Sequence, residues 1–228
     1  MKIKGTLLFA ICSVVICISL LLHICVPIRA FAQSEAVLSG IQVRRIGVMP
    51  FFKGRYGSTM QDTLDASVSK LYFNLENVAE NSDRVLTGHV QEALQKRHGE
   101  KVVPDSDVTM VFERIPKNGT VDTPKSLAQK TGHALRANLI IVGTVWRYKE
   151  RVGGAMGAQS PASVAFAISL IETDSGKMLW KAAFDKTEKS LSEDIRDARA
   201  FFKKGAKWLT ASELARYGIE EIFKKYPL

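Results

Sequence analysis

Leu139-Ile140-Ile141-Val142-Gly143-Thr144-Val145-Trp146 carries no charge and has five β-branched residues in eight. Apolar side chains fall at both parities of the run. A strand with one wet face would alternate, so this one reads as covered on both faces, in a sheet with helices on either side. Gly143 interrupts the bulk at mid-strand, and a close approach to the sheet, here expected from a helix, is the physical reason for a glycine there. Beyond Trp146 the strand runs on, more exposed, through Arg147-Tyr148-Lys149-Glu150-Arg151.

Moving outward, the spacing predicts a helix just upstream. Asp122-Thr123-Pro124 supplies a cap and a first-turn proline, and Leu127, Ala128, Thr131 and Leu135 repeat on one face before Ala137-Asn138 closes it. Downstream, Gly153-Gly154-Ala155-Met156-Gly157, with Ser160 and Pro161, reads as a turn region. Ser163 to Glu172 is the next strand. Val164, Phe166, Ile168 and Leu170 face one way; Ala165, Ala167, Ser169 and Ile171 make a smaller face that lets a helix pack close. Asp174-Ser175-Gly176-Lys177 is a tight turn into a last strand where Met178, Trp180, Ala182 and Phe184 alternate. These three strands form a meander.

Further out the pattern becomes helical. Arg45 to Phe52 is a first buried strand that Pro50 pushes to an end or edge. Helices are expected at about 62–78, from Arg84 to Arg97 after an Asn81-Ser82-Asp83 cap, and from Ser106; Lys101-Val102-Val103 reads as a short strand. At the C-terminus one helix opens at Ser192-Glu193 and carries Ile195, Ala198, Phe201, Phe202 and Trp208. A second starts at the capping box Thr210-Ala211-Ser212-Glu213. The expected fold is therefore α/β (α+β): a single three-layer-like sandwich, a mixed sheet with a C-terminal three-strand meander and helices on its faces.

The first residues carry a different signal. Lys2 and Lys4 precede an apolar run from Thr6 to Val26, and Ala30-Phe31-Ala32 gives a small-x-small cleavage site. The order is that of a secretory signal, so the expected organisation is a signal peptide at 1–32, a tether at 33–43 and a single domain at 44–228. Two alternatives stay open: an uncleaved anchor, since the run approaches a membrane span, and lipidation at Cys25 within Leu22-His23-Ile24-Cys25. Cys12, Cys17 and Cys25 all lie in this leader, so a chain cut after Ala32 has no thiol for a disulfide, a metal or catalysis. Its formal charge falls from +9 to +6, with the positives scattered as Arg44-Arg45, Lys96-Arg97, Lys203-Lys204 and Lys224-Lys225. Scattered positives read as solvated helix faces and strand ends, and attraction to an anionic outer-membrane surface or cell-wall polymer is the alternative. Nucleic acid is not expected, because no aromatics interleave with a basic stretch.

No catalytic constellation emerges. His89, His98 and His133 have no metal-ligand spacing, and no cofactor is expected. Ser67-Val68-Ser69-Lys70 and Lys130-Thr131-Gly132 match pieces of the penicillin-recognising serine enzymes, but the second piece falls in a helix where that chemistry needs a strand. The glycines at 153–157 have no following Lys-Ser/Thr and open no helix, so they are not a phosphate cradle. Trp146 and Trp180, read as lying on neighbouring strands, are a possible ligand platform.

Three segments together resemble a group of bacterial envelope domains: Ile46-Gly47-Val48-Met49-Pro50-Phe51; the helix end Ala134-Leu135-Arg136-Ala137-Asn138 running into Leu139 to Val145; and Ala167 through Trp180 across the Asp174-Ser175-Gly176-Lys177 turn. They are similar to the curli-secretion (CsgG-like) proteins, the amino-terminal domain of TolB and the lipoprotein activators of penicillin-binding proteins. The resemblance covers roughly 44–188. It implies an assembly, tethering or activating role and brings no catalytic residues. The expected function is thus a non-enzymatic, exported cell-envelope protein, periplasmic or membrane-attached, that docks an envelope protein partner. A periplasmic small-molecule or glycan-binding module and a hydrolase stand as alternatives; oligomeric state is not specified. A loop of ten residues at 152–161 exceeds what a hairpin needs. Arg147, Arg151, Gly153, Gly154, Met156 and Gly157 are accordingly the candidate interaction residues.

Overall fold

The computed structural model describes residues 41–54, 59–71, 75–154, 157–188 and 208–228. The expected signal peptide, most of the tether, Met156 and the helix from Ser192 lie outside the described residues. Within Gln42–Leu228, one compact unit, the apolar run forms the long strand Leu139–Lys149 (β3). Ile46–Val48 (β1) and Phe52–Lys53 (β2) pair with it in parallel on one side. Ser163–Glu172 (β6) pairs antiparallel on the other, followed by Met178–Thr187 (β7). The sheet order is β1-β3-β6-β7, with β2 alongside β3. A small separate ribbon, Val152–Gly154 (β4) with Gly157–Ser160 (β5), sits between β3 and β6 in sequence.

Helices cover both faces, as the doubly apolar β3 requires. On one face lie Met60–Asp65 (α1), Val68–Leu71 (α2), Asp105–Arg114 (α4) and Pro124–Leu135 (α5). Their Leu64, Leu71, Val108, Leu127 and Leu135 close a core with Ile140, Val142, Ala167 and Ile171 of the sheet. The small parity of β6 therefore faces this helical layer. Ser82–His98 (α3) and Ala211–Phe223 (α6) pack together on the other face. There Phe51, Phe166, Phe184 and Tyr217 form a chain of edge and tilted ring contacts 5.6–6.3 Å apart. Gly218 brings α6 close to the sheet: a Cβ there would sit 2.6 Å from the Phe184 ring. The expected sandwich of a mixed sheet between helical layers is the fold. Among the described residues no helix is long and apolar enough to cross a membrane.

Pro50 acts as its chemistry dictates. It has no N–H for the ladder, and it separates β1 from β2. Pairing passes from Val48–Ile141 to Phe52–Thr144, leaving one extra residue on the β1–β2 side, a bulge. The bulge sends Phe52 into the core beneath α4 and turns Phe51 to the opposite face. There the Phe51 ring occupies the space a side chain at Gly143 would need. A ring, and not the expected helix, explains that glycine.

Other expectations shift for identifiable reasons. The helix expected at 62–78 is interrupted: Ala66 is extended, and Val68 and Ser69 donate to the carbonyls of Asp122 and Gly119. Long-range hydrogen bonds displace the helical ones. Lys101-Val102-Val103 makes only a bridge, Val102 with Ile46, because the 3-10 turn Gly99–Lys101 takes up the preceding residues. Asn81 stands at the N-cap of α3 without a side-chain cap bond.

Candidate functional site: the ribbon end of the sheet

The chain enters this unit at the end of the sheet where β1 and β3 begin. Asn138 fixes that entry. Its Oδ1 accepts from the N–H groups of Arg44 and Arg45, and its Nδ2 donates to the Gln42 carbonyl at 2.8 Å. The ribbon lies at the other end, beyond the close of β3 and the start of β6. An eleven-residue strand separates the two ends, about 36 Å at the usual rise.

The base of the ribbon is fixed by polar contacts to α6. Glu150 Oε1 accepts from the Ala211 N–H at 2.9 Å and from the Arg151 N–H at 3.1 Å. The buried Glu188 accepts from the Leu209 N–H at 2.8 Å, and its own N–H donates to the Ala162 carbonyl. Thr210 and Glu213 complete a reciprocal capping box. Three carboxylates thus meet the successive N–H groups of Leu209, Thr210 and Ala211 that lead into α6, where the helix dipole favours negative charge. Ser212 extends the network by hydrogen bonding, at 3.1 Å, to His89 Nε2. Burial raises the Tyr148 phenol to about 12. Burial, with help from Arg216, lowers His89 below its ordinary value.

Above this base the ribbon is open. Val152, Gly153 and Gly154 are exposed, Val152 to 55%. The tip expected as a ten-residue loop is a two-stranded ribbon with an irregularity between Val152 and Gly153, whose φ is +104°. Gly157 lies in its return strand.

The flanking arginines look inward. Arg147 pairs with Asp185 on β7 across Ala165, which is small enough to let the guanidinium reach over β6. The Arg151 guanidinium donates to the Trp208 carbonyl. Both hold the base, and the open surface comes from Val152, Gly153 and Gly154. Spacing gave no hint of this, because Glu150 and its partner Ala211 are 61 positions apart.

Trp146 and Trp180 do not share a platform. The expectation of neighbouring strands is corrected by the order β3-β6-β7, which puts β6 between them. Trp146 is the extra residue at a β3 bulge and packs half-buried against the core between the sheet and the α1, α2, α4 and α5 layer. Trp180 lies against Phe223 and Tyr226 on the α6 face. Lys130 of the Lys-Thr-Gly sequence is on α5, as expected, with Nζ 2.7 Å from the Asp122 carboxylate. Among the described residues no cluster of three His, Cys, Asp or Glu side chains is placed to hold a metal.

The class defined so far is a mixed-sheet α/β sandwich with an exposed ribbon on an anchored base. No family model matches the chain, and no curated protein matches it. Solved structures do. The PelC dodecamer from Paraburkholderia phytofirmans is 12% identical over 79% of this chain and 85% of its own, with a TM-score of 0.41. Lipoprotein GNA1162 from Neisseria meningitidis is 15% identical over 72% and 94%, at 0.40. LpoB of E. coli is 10% identical over 68% and 66%, at 0.38. Likenesses this distant bring no partner, ligand or activity to this chain.

Proposed function

We propose that this chain is an exported, non-enzymatic envelope protein that docks an envelope protein partner through the ribbon at 152–161. The observation that carries the reading is an exposed ribbon raised on a base locked to α6 by Glu150, Arg151 and Glu188. A merely structural connection would be a tight turn, as between β6 and β7. The leader read in the sequence and the resemblance to the curli-secretion, TolB and activator group support the setting. The ribbon stands at the end of the sheet opposite Gln42. In this reading Met156, Gly153, Gly154 and Gly157 form the contact, and Arg147 and Arg151 hold its base. The side chains that first suggested chemistry have structural work: His89 bonds to Ser212, and Lys130 to Asp122.

The test replaces 152–161 by Asn-Gly. Shortening a loop costs little, so the melting temperature should stay within a few degrees of the parent. Complementation of a deletion strain should be lost, as should site-specific photocrosslinking from position 154 to its envelope partner in intact cells. A folded, shortened protein that still complements would remove the ribbon from the mechanism.

A further inference from the structure

β7 is a ten-residue edge strand, and among the described strands it pairs only with β6. The ladder fixes which of its backbone groups point outward. The Glu188 N–H donates to the Ala162 carbonyl, in line with the Ser163–Thr187 register. Hydrogen-bonded positions alternate along an antiparallel pair. The even residues Ala182, Phe184 and Lys186 therefore bond inward to β6. The N–H and C=O groups of the odd residues Lys181, Ala183, Asp185 and Thr187 point away from the sheet. These four are also the exposed residues of the strand. A long edge whose outward backbone groups pair with no other described strand is a template for another strand.

We propose that a second copy of this chain occupies this edge, β7 against β7, antiparallel, about a twofold axis at Ala183. Self-complementary charge selects the register. Centred on Ala183, Lys181 of each copy faces Asp185 of the other, giving two opposite-charge cross-strand pairs. On the reverse face Ala182 meets Phe184, small against large. Trp180 meets Lys186, and no like charges oppose one another. Centring on Phe184 instead sets Lys181 against Thr187 and Asp185 against Ala183, and both charge pairs disappear. Centring on Ala182 runs into the irregularity between Leu170 and Ile171 that displaces Leu179. Asp185 is already held by Arg147, yet its side chain remains 58% exposed and can accept a second cation. The twofold is isologous, so the assembly closes at two copies and joins the two sheets into one. The inference is independent of the ribbon, which lies outside this edge.

The experiment uses the full chain with Cys12, Cys17 and Cys25 changed to Ser, expressed in a bacterial envelope. Single cysteines are introduced at 181, 183 and 185, and at the remote exposed Val121. Under mild oxidation Ala183→Cys should give a covalent dimer. Lys181→Cys and Asp185→Cys should do so only when mixed, and Val121→Cys should not. Light scattering of the purified chain should report twice the monomer mass. Ala183→Pro removes an N–H that the β6 ladder does not use, so it should leave the protein folded and monomeric. If that variant fails to fold, Lys181→Glu decides: it sets like charges opposite Asp185 and should raise the dimer dissociation constant about tenfold. A monomer at all concentrations overturns the proposal. So does crosslinking no stronger at 183 than at 121, or a dimer unchanged by both edge substitutions.

Discussion

Gly143 shows what a single residue discloses and what it hides. Its place inside a bulky strand signals a close approach from the run alone. The approaching group is not legible, because it arrives through a bulge made by Pro50, far off in sequence. A Cβ at 143 would sit 2.3 Å from atoms of the Phe51 ring, and that ring is held against Phe166 with centroids 6.3 Å apart. Its backbone N–H also donates to Thr87 Oγ1 on α3. The ring has little room to retreat. Gly143→Ala should therefore destabilise by about 1–3 kcal/mol, the range for overpacking. Adding Phe51→Leu should recover part of that loss, since the two sites share one contact. Urea unfolding of the two single variants and the double measures the coupling. Strictly additive effects would place the strain elsewhere.

At the scale of elements, legibility follows locality. The cap and first-turn proline at Thr123-Pro124 and the capping box at Thr210 are written within four residues and appear as read; Ser126, which the reading passed over, closes a reciprocal box with Thr123. The meander strands are equally local, set by alternation and a tight turn. The break between α1 and α2 is not local, since it depends on the Asp122 and Gly119 carbonyls. Nor is the base of the ribbon, where Glu150 and Glu188 reach the start of α6 from strand ends. That start depends on Thr210, whose Oγ1 accepts from the Glu213 N–H at 3.1 Å. Thr210→Ala should cost about 1 kcal/mol. Because Glu150 and Glu188 still hold Ala211 and Leu209, the loss should be confined to the first turn. Hydrogen exchange should speed up at Glu213 and Leu214 and stay unchanged in the centre of the helix. Uniform acceleration along α6 would mean that the capping box, and not the strand carboxylates, anchors the element.

Across the whole molecule, the class of fold was legible because β3 is apolar on both faces, a pattern that calls for a sheet covered on both sides. The relation of Trp146 to Trp180 was not, since it depends on strand order and on a bulge that no period announces. The same packing that hid those relations sets the response to acid. His89 is half-buried between α3 and α6, and Arg216 faces it together with Glu92 and Glu220; burial is the main cause of its lowered pKa. His98 stacks edge-on against Tyr226 at 5.8 Å, and burial lowers it too, with Lys101 and Arg97 adding repulsion. Both histidines thus take up a proton more readily unfolded than folded. Their contribution to stability is complete above the ordinary value of 6.5 and is lost as the pH falls through the depressed folded values. A second loss follows below 3.8, where Lys125 and Gln61 hold Asp65 ionised, and the Asn118 N–H and Lys130 hold Asp122. The melting temperature should be flat from about pH 8 to 7 and decline from about pH 6.5 downward, well before the carboxylates protonate. Replacing both histidines by Asn should flatten the first decline and leave the second in place. A double variant that keeps the full slope between about pH 6.5 and 5 would assign the acid response to groups other than the two histidines.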